Sequence, residues 1–240
     1  MAHELVRKAL NIHFRSNSLG QDILDNVDTA VRHFKADEVI YRMGDDVTSI
    51  YCITEGWVTT VRNMASGERQ LLNFHVPVDL IGFEYLSRAT ATSDLVAYRD
   101  STLVSFPISQ LKHHMFSTPE GAAAIASLMS RKFGSLQTRL CILANGDALD
   151  KVAHFLQALR AKQVRNGDTD PDTLRIPLTQ RDIADTLGIT SVTVSRTFTK
   201  LEKQGVVDFS SQAIRILDND KLMALTDDEL TGTVYPDEFD

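Results

Sequence analysis

The stretch Thr179–Phe198, TQRDIADTLGITSVTVSRTF, decides how this chain is read. It fits a helix, a tight turn and a second helix. Ala184 is small where two helices must approach closely, and Gly188, four residues on, supplies the turn. Ile183, Leu187, Ile189, Val194, Phe198 and Leu201 recur at roughly helical spacing and predict a buried stripe. The outward positions of the second helix are Ser191, Val192, Thr193, Ser195, Arg196 and Lys200. These are short polar groups and cations, with one small apolar exception. Short side chains let a helix press into the DNA major groove, where an Arg can address N7 and O6 of guanine. Thr179, Gln180 and Arg181 open the first helix and Thr190 the second, where side chains and backbone N–H groups commonly meet phosphates. On the motif alone, a helical hairpin in a globular core stays open as the plainer alternative.

The flanking sequence extends the pattern. Val206–Phe209 and Ala213–Leu217 are short β-prone runs around the polar turn Ser210-Ser211-Gln212, which predicts a hairpin after the second helix. Upstream, Val152, Phe155, Leu156 and Leu159 give one apolar face to a supporting helix over Asp150–Gln163. Residues 164–177 are rich in Asp, Pro and Thr and read as a loop that closes in an edge strand near Leu174–Ile176. Helix, turn, helix and hairpin in that order predict a winged helix-turn-helix over residues 147–217.

The first half has a different texture. His33-Phe34, Glu38–Arg42, Ser49–Thr54, Trp57–Arg62, Arg69–Phe74 and Ser101–Pro107 are β-prone runs. They are split by Gly44-Asp45-Asp46, Glu55-Gly56, Ser66-Gly67 and Pro77-Val78-Asp79, and this spacing predicts an antiparallel sandwich or barrel over residues 1–118. Across residues 119–146 the pattern turns helical. Ala122, Ala126, Met129, Phe133, Leu136, Leu140 and Leu143 alternate spacings of four and three, the seam of a two-helix interface. A helix packed only on its own β domain is the simpler alternative. A dimer suits the helix-turn-helix, because two symmetry-related helices read a palindrome.

Composition and charge bound the rest. The chain has 240 residues, 43% of them hydrophobic, enough for two domains with sizeable cores. No apolar run approaches the roughly 20 residues of a membrane span. No signal peptide is recognisable, so a soluble cytoplasmic protein is expected. The net charge is −7. Residues 151–217 nevertheless hold ten Lys/Arg against seven Asp/Glu, a balance of +3, whereas residues 218–240 hold eight acids and only Lys221. The candidate DNA domain is thus mildly basic, and the acidity resides in a C-terminal tail that reads as a solvated extension or, on a sharper reading, as a competitor of DNA phosphates for the basic face. Cys52 and Cys141 are too few and too scattered for a disulfide framework, and read as small apolar residues. A redox switch through Cys141 across a dimer is a further option. Enzyme chemistry finds no support: there is no phosphate-cradling glycine loop, paired metal motif or nucleophile with a base.

With these elements in order, residues 20–217 resemble the bacterial cAMP receptor protein and fumarate/nitrate reductase regulator (Crp/Fnr) family. The specific motifs are Ile176–Ala184 (IPLTQRDIA) and Val194-Ser195-Arg196; Gly44, Gly56 and Asp79–Glu84 (DLIGFE) match β-roll positions more weakly. The resemblance implies an α+β fold with an N-terminal jelly-roll-like, cyclic-nucleotide-binding-type β-roll, a long dimerisation helix and the winged helix-turn-helix. It also implies a homodimer on a pseudo-palindromic promoter site, in contact with RNA polymerase. An effector pocket would involve Phe74, Gly82, Phe83, Glu84, Ala91 and Thr92. The dimer interface would involve Met129, Phe133, Leu136, Leu140 and Leu143.

This chain departs from the family pattern in informative places. Cyclic-AMP binders carry an Arg followed by a small residue in the pocket helix, where this sequence has Ala91-Thr92. Loss of a buried bidentate phosphate contact is costly, so no response to cAMP is expected. An iron–sulfur centre needs about four thiolates, and residues 1–30 contain no cysteine, so that cofactor is not expected either. Haem would need an axial ligand such as His75, with His33, His113-His114 and His154 as alternatives, none of them in ligand spacing. No cofactor is therefore the expectation. Most relatives carry Glu at the position of Val192, and Val cannot accept a hydrogen bond but can pack on a thymine methyl. A second functional reading remains, in which the chain pairs with a related regulator and modulates its DNA binding. The intact Ser195 and Arg196 argue against it.

Overall fold

The computed structural model describes residues 2–64, 69–87, 90–209 and 213–226. The chain forms two compact units, residues 1–130 and 131–240. In the first unit the elements are α1 (Ala2–Phe14), α2 (Asn17–Asn26), β1 (Ala30–Phe34), β2 (Val39–Tyr41), β3 (Ser49–Glu55), β4 (Val58–Asn63), β5 (Arg69–His75), β6 (Leu80–Ile81), a 3₁₀ turn (Phe83–Tyr85), β7 (Asp94–Ala97), β8 (Ser101–Pro107) and α3 (Ile108–Phe116). The strands form two antiparallel four-stranded sheets, ordered β1-β8-β3-β6 and β2-β7-β4-β5.

Alternation along β3 and β8 explains why the sheet that contains them is apolar on both faces. Ile53 and Leu103 point into the roll, where they meet Tyr41, Val58, Leu95 and Ile81 from both sheets and Tyr85 of the 3₁₀ turn. Ile50, Cys52, Val104 and Phe106 point the other way into a second cluster. That cluster is closed by Val6, Ala9, Leu10 and Phe14 of α1, by Leu111 and Met115 of α3, and by Ile125 and Leu128 of the following helix. Burial pushes the Cys52 thiol up to about 12, with the Asp79 carboxylate adding to the effect, so it behaves as a small apolar residue.

Several elements were not anticipated. Helices α1 and α2 occupy a stretch for which the sequence suggested no element, although Val6, Ala9, Leu10 and Phe14 repeat at helical spacing and Ser16 caps α2 by accepting from the Leu19 N–H. Phe14 meets Phe83 edge to face, with ring centroids 5.6 Å apart. Leu10, 1% exposed, lies at the centre of this packing. Leu10→Ala is expected to lower unfolding stability by about 2–5 kcal/mol in a denaturant titration. A loss below about 0.5 kcal/mol, typical of a surface site, would show that α1 adds nothing to this core. Strand β7 has no counterpart among the β-prone runs of the sequence, and the resemblance implies a helix at Ala91 and Thr92. They instead lie on the irregular approach to β7, whose Leu95 alternates into the roll.

Two turns depend on unusual backbone. Gly56 has φ +84, and a Cβ there would collide with the carbonyl of Asp100. Val78 has φ +73, costly for a β-branched residue, about 1–3 kcal/mol. Its surroundings hold it: the N–H donates to the Ile53 carbonyl, the carbonyl accepts from the His13 imidazole of α1, and the side chain is buried. Asp79 fixes the same turn by accepting from the Val76 N–H at 3.0 Å.

Helix α4 (Pro119–Asn145) ends one residue short of the stretch expected to be helical, and the boundary between the two units falls within it. The second unit continues with α5 (Ala148–Asn166), β9 (Thr173–Leu174), α6 (Gln180–Leu187), α7 (Ser191–Lys203), β10 (Val207–Phe209), β11 (Ile214–Ile216) and α8 (Asn219–Ala224). Strands β10, β11 and β9 form an antiparallel sheet in that order. The predicted edge strand sits slightly earlier than Leu174–Ile176, and the turns at 66–67 and 210–212 lie outside the described residues. Helix α8 corrects the expected tail. Asp218 caps it by accepting from the Lys221 N–H, Gln157 of α5 donates to Asn219, and Leu222 is fully buried. An N-capping Asp followed by Leu222 was a legible signal, but the acidity of the segment masked it. The folded domain therefore reaches Thr226, and the tail proper shortens to residues 227–240, which lie outside the described residues.

Candidate nucleic-acid interface

Each helix of the DNA-binding motif starts on a cap. Thr179 and Asp182 form a reciprocal capping box at α6, and Thr190 accepts from the Thr193 N–H at α7. The turn between them needs a left-handed residue, supplied by Gly188 at φ +63; its N–H donates to Ala184. Ile183, Leu187, Val194, Phe198 and Leu201 are buried as predicted, while Ile189 is half-buried. Phe198 stacks on Phe209 of β10, with centroids 4.8 Å apart, and Glu202 accepts from the Phe209 N–H. The hairpin is thereby fixed against the back of α7.

The opposite face of α7 presents Ser191, Val192, Ser195, Arg196 and Lys200 to solvent; Val192 is 57% exposed. Ser195, Arg196, Thr199, Lys200, Lys203 and Gln204 line an open cleft of about 550 Å³. Three cations with short hydroxyl side chains between them form a surface suited to phosphates and base edges. The sequence reading missed Thr199, Lys203 and Gln204, although Thr199 and Lys203 follow Ser195 and Lys200 at helical spacing.

Three of the predicted contact residues also serve the fold. The Thr179 and Thr190 hydroxyls are engaged in their caps, and Thr193 is half-buried with its hydroxyl against that of Thr190 at 2.8 Å. Helix starts need such acceptors for their free N–H groups, so these residues shape the motif. Gln180 is half-buried and Arg181 exposed at the start of α6.

The six expected effector-pocket residues do not converge on one cavity. Phe74 packs edge to face with Trp57 and Tyr98, while Phe83 turns out of the roll onto Phe14. Gly82 makes the turn that aims Phe83 there, Glu84 is exposed, and Thr92 is exposed. Ala91 alone belongs to the roll interior, beside Tyr41 and Tyr85. Those two rings meet edge to face with centroids 5.8 Å apart, and the Thr92 N–H donates to the Tyr85 hydroxyl at 3.3 Å. Burial, reinforced by the adjacent Tyr85, pushes the Tyr41 phenol well above its usual range, so its hydroxyl stays neutral.

The predicted seam on α4 is divided. Met129 packs partly on the helix–sheet cluster of the first unit, and Ala122 and Leu143 are half-buried. Phe133, Leu136 and Leu140, however, are 61%, 62% and 65% exposed, while Thr138 and Ile142 on the same helix are buried. Cys141 is exposed beside Leu140. Three large apolar side chains in one exposed row are unusual on a protein surface.

Comparison with known proteins agrees with this architecture. The family model for the Crp-like helix-turn-helix domain matches residues 150–225, and that for the cyclic nucleotide-binding domain matches residues 31–117. The anaerobic regulatory protein of Haemophilus influenzae is 30% identical over 224 residues, covering 93% of this chain and 85% of that protein. The nitrogen fixation regulation protein FixK of Bradyrhizobium diazoefficiens is 30% identical over 193 residues, 80% of each chain. The transcriptional activator protein Anr of Pseudomonas aeruginosa is 27% identical over 211 residues, 88% of this chain and 86% of its own. Among solved structures, FixK2 from Bradyrhizobium japonicum superposes with a TM-score of 0.75 at 23% identity, covering 83% of this chain and 98% of that one. A roll of two antiparallel sheets, a long helix with an exposed apolar row and a winged helix-turn-helix, matched by both domain models and by relatives along most of their length, make this chain a member of the Crp/Fnr family of DNA-binding transcription regulators.

Proposed function

We propose that the protein acts as a homodimer, binds a pseudo-palindromic promoter site without cAMP, an iron–sulfur cluster or haem, and works in the cytoplasm as an activator in contact with RNA polymerase. The observation that carries this reading is the exposed row Phe133, Leu136 and Leu140 on a helix otherwise anchored in both units. Two-fold pairing of that row buries it and brings two copies of α7 to the spacing of two half-sites. Within each half-site Arg196 reads a guanine, and Val192 favours a thymine methyl where the family's Glu would favour cytosine. Selection from a randomised DNA pool, with no ligand added, tests the reading. A palindrome with a fixed G in each half is the expected result, and no enrichment would overturn it.

The side chains support independence from the family's cofactors. Where cAMP binders place a phosphate-binding Arg, the roll has the Ala91 methyl, with Tyr41 and Tyr85 packed beside it. Saturating cAMP is therefore expected to change affinity for the selected site by less than about twofold, whereas an allosteric effector is typically worth about 5- to 150-fold. A rise of about tenfold in a titration would contradict this. Two cysteines in the whole chain cannot supply the about four thiolates of an iron–sulfur cluster. Three of the candidate haem ligands have local partners: His75 bonds Thr60 at 2.7 Å, His33 bonds Thr102, and His114 pairs with Asp22.

A further inference from the structure

We infer that the acidic segment 227–240 docks on the cleft of α7 in its own chain and competes there with DNA; the inference rests on the DNA-binding role of that cleft. The segment begins where the folded domain ends. Of its 14 residues, Asp227, Asp228, Glu229, Asp237, Glu238 and Asp240 are acidic, and none is basic. It also lies beyond residues 150–225, the part matched by the helix-turn-helix family model.

The cleft offers the complementary charge. Arg196, Lys200 and Lys203 line it, and none of the ion pairs among the described residues includes them. Salt bridges that neutralise other cations of this unit, such as Arg160–Asp172 and Lys221–Asp218, leave this row to whatever anion comes within reach.

Geometry makes the tail that anion. The Leu217 and Asp218 N–H groups both donate to the Val206 carbonyl, three residues past the end of α7, so α8 starts beside the Lys203 end of the recognition helix. Helix α8 has six residues, about 9 Å of rise, so the chain leaves Thr226 within roughly 15 Å of Val206. Fourteen residues can reach at most about 50 Å. Helix α7, 13 residues and about 20 Å long, therefore lies wholly within reach. At that tether length the effective concentration of the acids at the cleft is in the millimolar range, enough for weak charge pairing to compete with loosely held DNA. Nonspecific complexes, which depend almost entirely on phosphate contacts, should suffer most.

Two measurements on the full chain and on a chain ending at Thr226 test this. In the first, without DNA, NMR shifts of Arg196, Lys200 and Lys203 are compared. They are expected to differ between the two proteins at 50 mM salt and to converge when D227N, D228N, E229Q, D237N, E238Q and D240N neutralise the tail. Identical shifts, or differences that grow with protein concentration, would overturn docking within one chain. In the second, binding of a random-sequence duplex is followed by fluorescence anisotropy. Removing the tail is expected to tighten binding about tenfold at about 50 mM salt and by less than about twofold at about 300 mM. Equal affinities at every salt concentration would overturn competition. If the shifts differ but neither protein binds any duplex, the docking stands and the DNA-binding reading fails, so the two ideas are separately exposed.

Discussion

Arg196→Ala is expected to weaken binding to the selected palindrome by about 1–3 kcal/mol per half-site, hence about 2–6 kcal/mol for the dimer, and to relax the preference for the guanine it reads. Arg196 stands exposed on α7 between Ser195 and Thr199, and its backbone is held by the buried Val194 and Phe198. Because the side chain makes no packing contribution, Arg196→Ala should leave the melting temperature unchanged. Anisotropy on the palindrome and on duplexes altered at the guanine separates base reading from charge. A uniform loss on every duplex would mean that Arg196 meets only phosphate. Arg196→Lys sharpens the distinction: it keeps the charge but loses the planar fork, so it should rescue nonspecific binding and not the base preference.

Leu136→Glu is expected to convert the protein to monomers and lower affinity for the palindrome by more than about 100-fold, since each half-site alone supplies only part of the binding energy. Leu136 is 62% exposed within one chain, so the substitution should cost the isolated fold almost nothing. In the proposed dimer it would bury two carboxylates in an apolar row with Phe133 and Leu140, without partners. Sedimentation equilibrium reads the association and circular dichroism the fold. A dimer that persists with unchanged DNA affinity would show that this row is not the interface. A monomer that still binds the palindrome tightly would sever dimerisation from recognition.

Both experiments exploit features already visible in the chain before folding. The recognition motif was legible because it is local. Ala184, Gly188 and the apolar repeat through Leu201 lie within one helix–turn–helix, and their spacing alone dictates which side is inside. Helix α4 was legible for the same reason, and Arg196 and Val192 could be placed on an outward face from periodicity. The β-roll was legible as a class, from strand lengths and turn residues, but its registers were not.

What the tertiary structure decided is which side chains are spent on the fold. Thr179 and Thr190 stand where phosphates are expected, and their hydroxyls also cap the starts of α6 and α7. Phe83 belonged by position to an effector pocket, yet the left-handed Gly82 sends it onto Phe14 of a helix the sequence reading overlooked. Met129 belonged to the same periodic seam as Leu136, but only Leu136 is left uncovered, because helix α4 meets the sheet cluster along its first half. Periodicity determines the face of an element on which a residue lies. Whether that face meets its own core, another copy or solvent depends on contacts between residues far apart in the chain, and no local spacing encodes those.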